Sequence, residues 1–382
     1  MILPDASIGV LGGGQLGRMF TMAARTMGYR VLVLDPDPHS PAGGMADQHI
    51  QSDYTDHASL DLLGDACSAV TTEFENVPAM SLRHLSNHCP VRPHPEAIAI
   101  TQDRIREKTF LQENHLPTAS FQPVLGLDDL ESAAEKLCFP AILKTAALGY
   151  DGKGQVAVAD LDAAIAGYRS LGELPCIIEQ KVSLALELSV ILARSITGRI
   201  AVYPPAENIH VGGILDYSIV PARVSAAIAG TVTEMACEIA DRMDYCGVLA
   251  TEFFLTTDGD ILINELAPRP HNSGHYTVDA CLTSQFEQQV RTLCGLPPGD
   301  TELLSPVVMV NLLGDLWQKG APPWEQIFRH PRTLLHLYGK RHARPGRKMG
   351  HYNCLSDDLE GALEMAKTIR TSLEPADLVT QA

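Results

Sequence analysis

One short turn constrains this chain more than any other stretch. Thr257-Asp258-Gly259-Asp260 separates two apolar runs, 248–256 and 261–267. An Asp-Gly pair in such a place predicts a two-residue β-hairpin, because both residues tolerate the left-handed backbone that matches strand twist. A two-residue turn pairs Thr257 with Asp260 and, five steps further from the turn, Glu252 with Glu265. The two carboxylates then stand opposite each other on one face, with Cβ atoms about 5 Å apart. Like charges so placed destabilise a ladder. A divalent cation between them removes that cost, and hard carboxylate oxygens suit magnesium, with manganese as the alternative. The plain alternative is two solvated glutamates on an open face. The strongly apolar flanks argue instead for a covered sheet.

The text on either side of the hairpin changes character along the chain. Strands expected over 8–11, 31–34 and 69–72 alternate with helices over 15–28 and 78–87, which predicts a parallel sheet with crossover helices. Helical text runs from 95 to 114, interrupted near 101–103, and 116–118 reads as a linker. Strands over 141–145, 155–158, 176–180, 187–193, 199–203 and 214–220 follow with short connections, which predicts an antiparallel sheet. Helices are expected over 161–171 and 224–243. The tail offers strands near 307–312, 334–338 and 349–354 and a closing helix over 356–371. The expected fold class is α/β followed by α+β. The expected domains are 1–102, Rossmann-like; 103–295, nucleotide-binding; and 296–382, small and β-rich. A chain of 382 residues accommodates two or three such units.

The net charge of −17 disfavours generic binding to nucleic acid or anionic membranes. No run of about 18 apolar residues occurs, so no membrane span is expected. The start lacks a basic n-region, and no cleaved signal peptide is expected. The nine cysteines form no C-x-x-C pair. They read as reduced thiols of a cytoplasmic protein rather than a structural zinc site.

Four further patterns carry chemistry. Gly12, Gly14 and Gly17 fit G-x-G-x-x-G between a strand and a helix, with Asp35 ending the next strand. Such a loop lets backbone approach an anion at a helix N-terminus. It also fits a tight turn that merely packs helix on strand. Lys144 is the one cation in an apolar strand and leads into Gly149, Tyr150, Asp151, Gly152, Lys153, Gly154 and Gln155, whose glycines allow N–H groups to fold over phosphates. Lys340, Arg341, Arg344, Arg347 and Lys348 place five cations in nine positions of an acidic chain, as an anion pocket or a solvated basic loop. Arg269, His271, Asn272 and His275 crowd polar groups just after the carboxylate hairpin, in a backbone stiffened by two prolines. A single histidine is more often a core residue, but this clustering favours a site.

Lys144, the glycine loop, Glu179 to Val182, Glu187 and the Glu252/Glu265 hairpin, in this order, resemble the ATP-grasp superfamily. "GGGQLGRM" and "TEFENV" are similar to the preceding domain of its purine-biosynthesis branch. Within that branch "GYDGKGQ", "NELAPRPHNSGH" and "RPGRKMGH" resemble the 5-(carboxyamino)imidazole ribonucleotide synthase family. The resemblance implies an ATP-grasp fold with a Rossmann-like domain before it and a small C-terminal domain closing the substrate site. It implies a homodimeric C–N ligase whose product passes to a separate mutase. The implied reaction uses MgATP and bicarbonate, through carboxyphosphate, to carboxylate aminoimidazole ribonucleotide.

Roles follow from the same resemblance. Arg104 and Lys144 meet ATP phosphates, with 149–155 as a closing lid. Glu179, Gln180, Lys181 and Val182 receive adenine, Glu187 the ribose, and His210 and Asn264 are further nucleotide contacts. Glu252 and Glu265 hold magnesium. Asp151, Arg269, His271, Asn272 and Lys348 form the bicarbonate and carboxyphosphate pocket. Gln15, Leu16, Glu73, Tyr150, Asp151, His275, Lys340 and Arg347 receive the ribonucleotide, the last two on its phosphate. Leu148 and Leu186 depart from the family pattern without removing a catalytic group. Two alternatives stay open: a formate-dependent glycinamide ribonucleotide transformylase, and a nicotinamide-dependent oxidoreductase resting on the first glycine loop.

Overall fold

β-Branched and leucine-rich runs near the start assemble into a parallel sheet in the order Gln48–Ile50, Arg30–Leu34, Ser7–Leu11, Val70–Thr72. The computed structural model describes residues 1–147, 149 and 154–373. The inner strands are buried on both faces, as parallel strands between helix layers are. Helices His57–Ala66, Ala79–Leu85 and Pro95–Thr101 cover one face. Helix Gln15–Thr26 covers the other, joined by Gln285–Leu293 from far along the chain.

A second, antiparallel sheet runs Phe121–Val124, Cys176–Gln180, Ala141–Thr145, Gln155–Val158. Helices Leu127–Lys136 and Leu161–Ser170 pack on it through Leu130, Ala133, Ala164 and Tyr168. The third sheet has nine antiparallel strands among the described residues. Its path is Ile261–Ala267, Gly247–Thr256, Leu184–Arg194, Ala206–Val211, Ile214–Val220, Val307–Leu313, Lys348–Leu355, Thr333–Leu337, with Ile200–Val202 beside Leu184–Arg194. The strands after residue 306 therefore do not form a sheet of their own. Val307–Leu313 pairs with Ile214–Val220 and extends the same ladder. Helix Ala226–Arg242 starts at Ser225, whose Oγ accepts from Ile228 N–H, and lays Val232, Ala236 and Ile239 on the sheet. Truncating Ile239 to Ala there costs roughly 2–5 kcal/mol.

The hairpin corrects one expectation and keeps its consequence. The turn spans three residues, not two. Thr256 N–H donates to Asp260 O at 2.9 Å, Gly259 N–H donates to Thr256 O at 3.1 Å, and Gly259 sits at φ +91°. Pairing next to the turn is therefore Leu255 with Ile261 and Phe253 with Ile263. Asn264 then bulges out of the ladder, and the register shifts by one. Glu252 and Glu265 end as direct partners, as the simpler turn predicted.

Candidate active site

The opposed glutamates have unequal surroundings. Asn264 donates from Nδ2 to Glu252 Oε2 at 3.3 Å, and His271 Nε2 lies 3.3 Å from Glu252 Oε1. Arg104 Nη1 reaches Glu265 Oε2 at 3.1 Å. Burial and the facing Glu265 charge push Glu252 up to about 7. Burial would raise Glu265 as well, but Arg104 and Lys144 outweigh it and hold Glu265 below the usual carboxylate range. Two like charges that share a site split in this way. The pair is rich in hard oxygen, and the charge of Glu252 is not offset as that of Glu265 is, so these residues fit magnesium.

Beside the pair lies a buried charge cluster. Glu179, at the end of strand Cys176–Gln180, is flanked by Lys108 Nζ at 3.0 Å and by Lys144. Burial opposes ionisation of Glu179, yet Lys108 and Lys144 hold it at about 2. Lys108 and Glu107 come from helix Arg104–Glu113, which Asp103 caps by accepting from Ile105 N–H and Arg106 N–H. Arg104, Glu107, Lys108 and Leu111 stand at i, i+3, i+4 and i+7, so one helical face turns inward. Glu107 accepts from Leu266 N–H at 2.5 Å, and burial pushes it up to about 7. Glu187 and His210 meet across neighbouring strands, with His210 Nδ1 2.9 Å from Glu187 Oε2. Lys181 N–H donates to Pro140 O, and Gln180 N–H to Ser120 O. Gln155 pairs with Lys144, and the Gly154 carbonyl accepts from Thr145 N–H. Gly149 is half-buried. Tyr150, Asp151, Gly152 and Lys153, with the neighbouring Leu148, lie outside the described residues.

The loop after the hairpin is fixed by partners from three directions. Arg269 makes a forked pair with Glu75, which holds the Glu75 carboxyl at about 2 against its burial. Asn272 exchanges amide hydrogen bonds with Asn311 at 3.0 and 2.7 Å. Gln285 accepts from His271 N–H at 2.8 Å, donates to His271 O at 2.8 Å, and contacts His275 Nδ1 at 3.1 Å. His275 and His351 are fully buried with ring centroids 5.0 Å apart.

The first glycine loop is occupied by the chain's own acids. Glu73 accepts from Gly14 N–H and from Gly17 N–H at 2.6 Å. Asp35 accepts from Gly13 N–H and from Tyr54 OH, each at 2.6 Å. A pyrophosphate would need those same donors, so the nicotinamide alternative loses its anchor. The loop instead faces the basic segment. Leu16 packs on Tyr338, and Lys340 Nζ stands 5.6 Å above the Tyr338 ring and donates to Lys348 O at 2.7 Å. Gln15 opens the helix beside Leu16. Arg347, half-buried, donates to His342 O at 2.8 Å.

Comparison with known proteins gives this arrangement a family. Residues 6–102 match the ribonucleotide synthetase preATP-grasp domain, 109–286 the ATP-grasp domain, and 307–365 the phosphoribosylaminoimidazole carboxylase C-terminal domain. The N5-carboxyaminoimidazole ribonucleotide synthase of Bacillus subtilis is 44% identical over 355 residues, 92% of each chain. The chain belongs to the N5-carboxyaminoimidazole ribonucleotide synthase family. An ADP complex of an N5-carboxyaminoimidazole ribonucleotide synthetase superposes with a TM-score of 0.92 at 44% identity, covering 97% of both chains. A synthase from Aspergillus clavatus in complex with ADP and 5-aminoimidazole ribonucleotide gives 0.88 at 30% identity, covering 96% of this chain and 98% of the other. The fold is that of the synthase family: an ATP-grasp domain between a preATP-grasp domain and the family's C-terminal domain.

Sequence reasoning passed over Lys108, Glu107, Glu75 and Gln285. A signal for the first two was present, since Leu111 marks the inner face of their helix and both share it. Glu75 lies within the TEFENV string, but its role, like that of Gln285, is defined by a partner far away in the chain.

Proposed function

We propose that this chain carries out the ATP-dependent carboxylation of 5-aminoimidazole ribonucleotide to N5-carboxyaminoimidazole ribonucleotide in purine biosynthesis, with bicarbonate as the carbon source. The observation that carries the reading is the pair Glu252 and Glu265, set between the cations Arg104 and Lys144 on one side and His271 on the other. A bicarbonate oxygen attacks the γ-phosphorus, ADP leaves, and carboxyphosphate results. The exocyclic amine then attacks the carboxyl carbon, directly or after release of carbon dioxide, with loss of phosphate and of one amine proton.

Arg104 and Lys144 bind the phosphates, where in-line transfer needs positive charge. Magnesium held by Glu252 and Glu265 would neutralise further phosphate charge. Lys181 N–H is already committed to Pro140, so the adenine edge is met by the Lys181 carbonyl and Val182 N–H, with Glu179 and Gln180 behind them. Glu187 accepts from the ribose hydroxyls, with His210 beside it. Asn264 orients Glu252. Arg269, His271, Asn272 and Lys348 surround the bicarbonate, and Asp151 joins them from the 149–155 lid. Gln15, Leu16, Glu73, Tyr150, His275, Lys340 and Arg347 take the ribonucleotide, with Lys340 and Arg347 on its phosphate. The homodimer, the cytoplasmic location and the hand-over of product to a separate mutase rest on the family resemblance.

The test is ADP release with the ribonucleotide and bicarbonate each omitted in turn, repeated with Glu265→Gln. Turnover should require both substrates and should drop by at least two orders of magnitude in the variant, with an unchanged far-ultraviolet circular dichroism spectrum. Full turnover of Glu265→Gln at limiting magnesium would remove the metal assignment.

A further inference from the structure

Helices His57–Ala66 and Ala79–Leu85 pack side by side over the parallel sheet, outside the cleft just described. His57, Asp61 and Asp65 recur every four residues and so share one face of the first helix. His84 on the second helix, and His88 in the turn after it, face them. Asp61 Oδ1 lies 2.6 Å from His84 Nε2 and 3.1 Å from His88 Nε2. Among the described residues this is the one group of three such side chains whose donor atoms converge within 4.8 Å.

Two further observations point the same way. The other nitrogen of His88 is held by Asp65, with Nδ1 2.8 Å from Asp65 Oδ1. A carboxylate behind a histidine in this way orients the opposite nitrogen toward a metal in many known sites. Gly64 lies in the interior of its helix, where glycine costs about 1 kcal/mol against alanine. A Cβ at that position would stand 2.6 Å from His88 Cβ, so the glycine is what lets His88 come in beside Asp61 and Asp65.

We propose that Asp61, His84 and His88 bind a divalent transition-metal ion of the zinc, cobalt or nickel class. Two imidazole nitrogens and one carboxylate oxygen suit such ions, whereas magnesium prefers oxygen alone. Ligands about 2.0–2.1 Å from a tetrahedral zinc ion stand about 3.3 Å from one another. Asp61 Oδ1 stands 2.6 and 3.1 Å from the two imidazole nitrogens and all three donors lie within 4.8 Å, so small rotations of these half-buried and exposed side chains complete that spacing. Water takes the fourth position. The bound ion ties the helix that follows Glu73 and Glu75 to its neighbour, and so steadies the segment that supplies those two carboxylates to the cleft.

The test uses the full chain in millimolar magnesium, titrated with zinc chloride by calorimetry and with cobalt chloride by visible absorption. One equivalent of zinc should bind with micromolar affinity, cobalt should develop d–d bands, and zinc should raise the thermal midpoint. The double variant His84→Ala/His88→Ala should lose at least tenfold in zinc affinity together with the cobalt bands and the thermal shift, while ATP-dependent carboxylation measured without added zinc stays unchanged. Asp65→Asn should weaken zinc binding and retain the cobalt bands. Zinc binding of equal strength in the double variant would place the ion elsewhere and overturn the proposal, as would the absence of any binding below millimolar zinc.

Discussion

Lys108→Met removes a charge that is only 1% exposed. The ammonium contacts Glu179 Oε1 at 3.0 Å, Thr118 Oγ1 at 2.6 Å and Ile263 O at 3.3 Å. Methionine fills nearly the same volume without charge, so packing changes little. Glu179 then keeps Lys144 as its one cation. Its carboxyl sits at about 2 against an ordinary 4.5, which corresponds to about 3.4 kcal/mol of preference for the ionised form in the fold. Loss of one of two lysines removes on the order of half of that, and the buried oxygen left without a partner adds about 1–3 kcal/mol. The expected destabilisation at neutral pH is about 3 kcal/mol. A depressed carboxyl contributes stability that is complete above about pH 4.5 and lost as pH falls toward 2, so the gap between wild type and variant should narrow in acid. The whole Glu179 contribution shrinks by about a quarter at pH 4 and by more than half at pH 3, and the half of it lost with Lys108 by less than about a tenth at pH 4 and about a third at pH 3. Urea unfolding at pH 7, 4 and 3 measures this, and Lys108→Met/Glu179→Gln should recover part of the loss. Lys144, drawn more firmly to Glu179, should give ATP a several-fold higher KM while the ribonucleotide KM holds. A variant as stable as wild type at pH 7, or a deficit that does not change with pH, would refute the reasoning.

The glycine loop and the basic segment give further tests. Gly14→Ala would put a Cβ 2.5 Å from Glu73 Oε1; it should cost about 1–3 kcal/mol in thermal unfolding and raise the ribonucleotide KM. Arg347→Ala should raise the ribonucleotide KM on the order of tenfold or more with ATP's KM nearly unchanged, measured by initial rates. Lys348→Ala should release ADP without matching carboxylation, measured by comparing ADP with product; tight coupling in that variant would detach Lys348 from the carboxyl-transfer step.

What could be read from the chain, and what could not, follows from the range of the interactions. Ala141–Thr145, Gln155–Val158, Cys176–Gln180 and Ile214–Val220 were legible to the residue, because apolar runs between turn residues leave little choice. The carboxylate hairpin was legible through two one-residue errors that cancel, an undercounted turn and an unseen bulge at Asn264. Helix Gln285–Leu293 was not read at all. Its apolar stripe is only Phe286, Val290 and Leu293, and buried Gln285, Gln288 and Gln289 beside it bond to other segments, so polar residues obscure the inward face. Helix Arg104–Glu113 was read, but the inward aim of Glu107 and Lys108 depends on Leu266 and Glu179, which no local pattern contains. The glycine loop was read as room for an anion, and that room is real. The anion is Glu73, supplied from the end of a neighbouring strand.

The ladder that runs from Ile261–Ala267 to Thr333–Leu337 decides how this chain can be cut. Ile214–Val220 is bonded to Val307–Leu313 along four residue pairs. A fragment ending before residue 306 would leave that strand as a raw edge bearing Leu215, Ile219 and Val220, all buried in the whole chain. Open apolar edges of this kind template self-association. Helix Gln285–Leu293 adds a second tie, since it caps the first sheet. Family models divide the chain into three modules, but its hydrogen bonds do not respect those borders. Chimaeras between relatives should therefore exchange the strands on both sides of the 220–307 junction together, since the unit that can be inherited intact is the sheet.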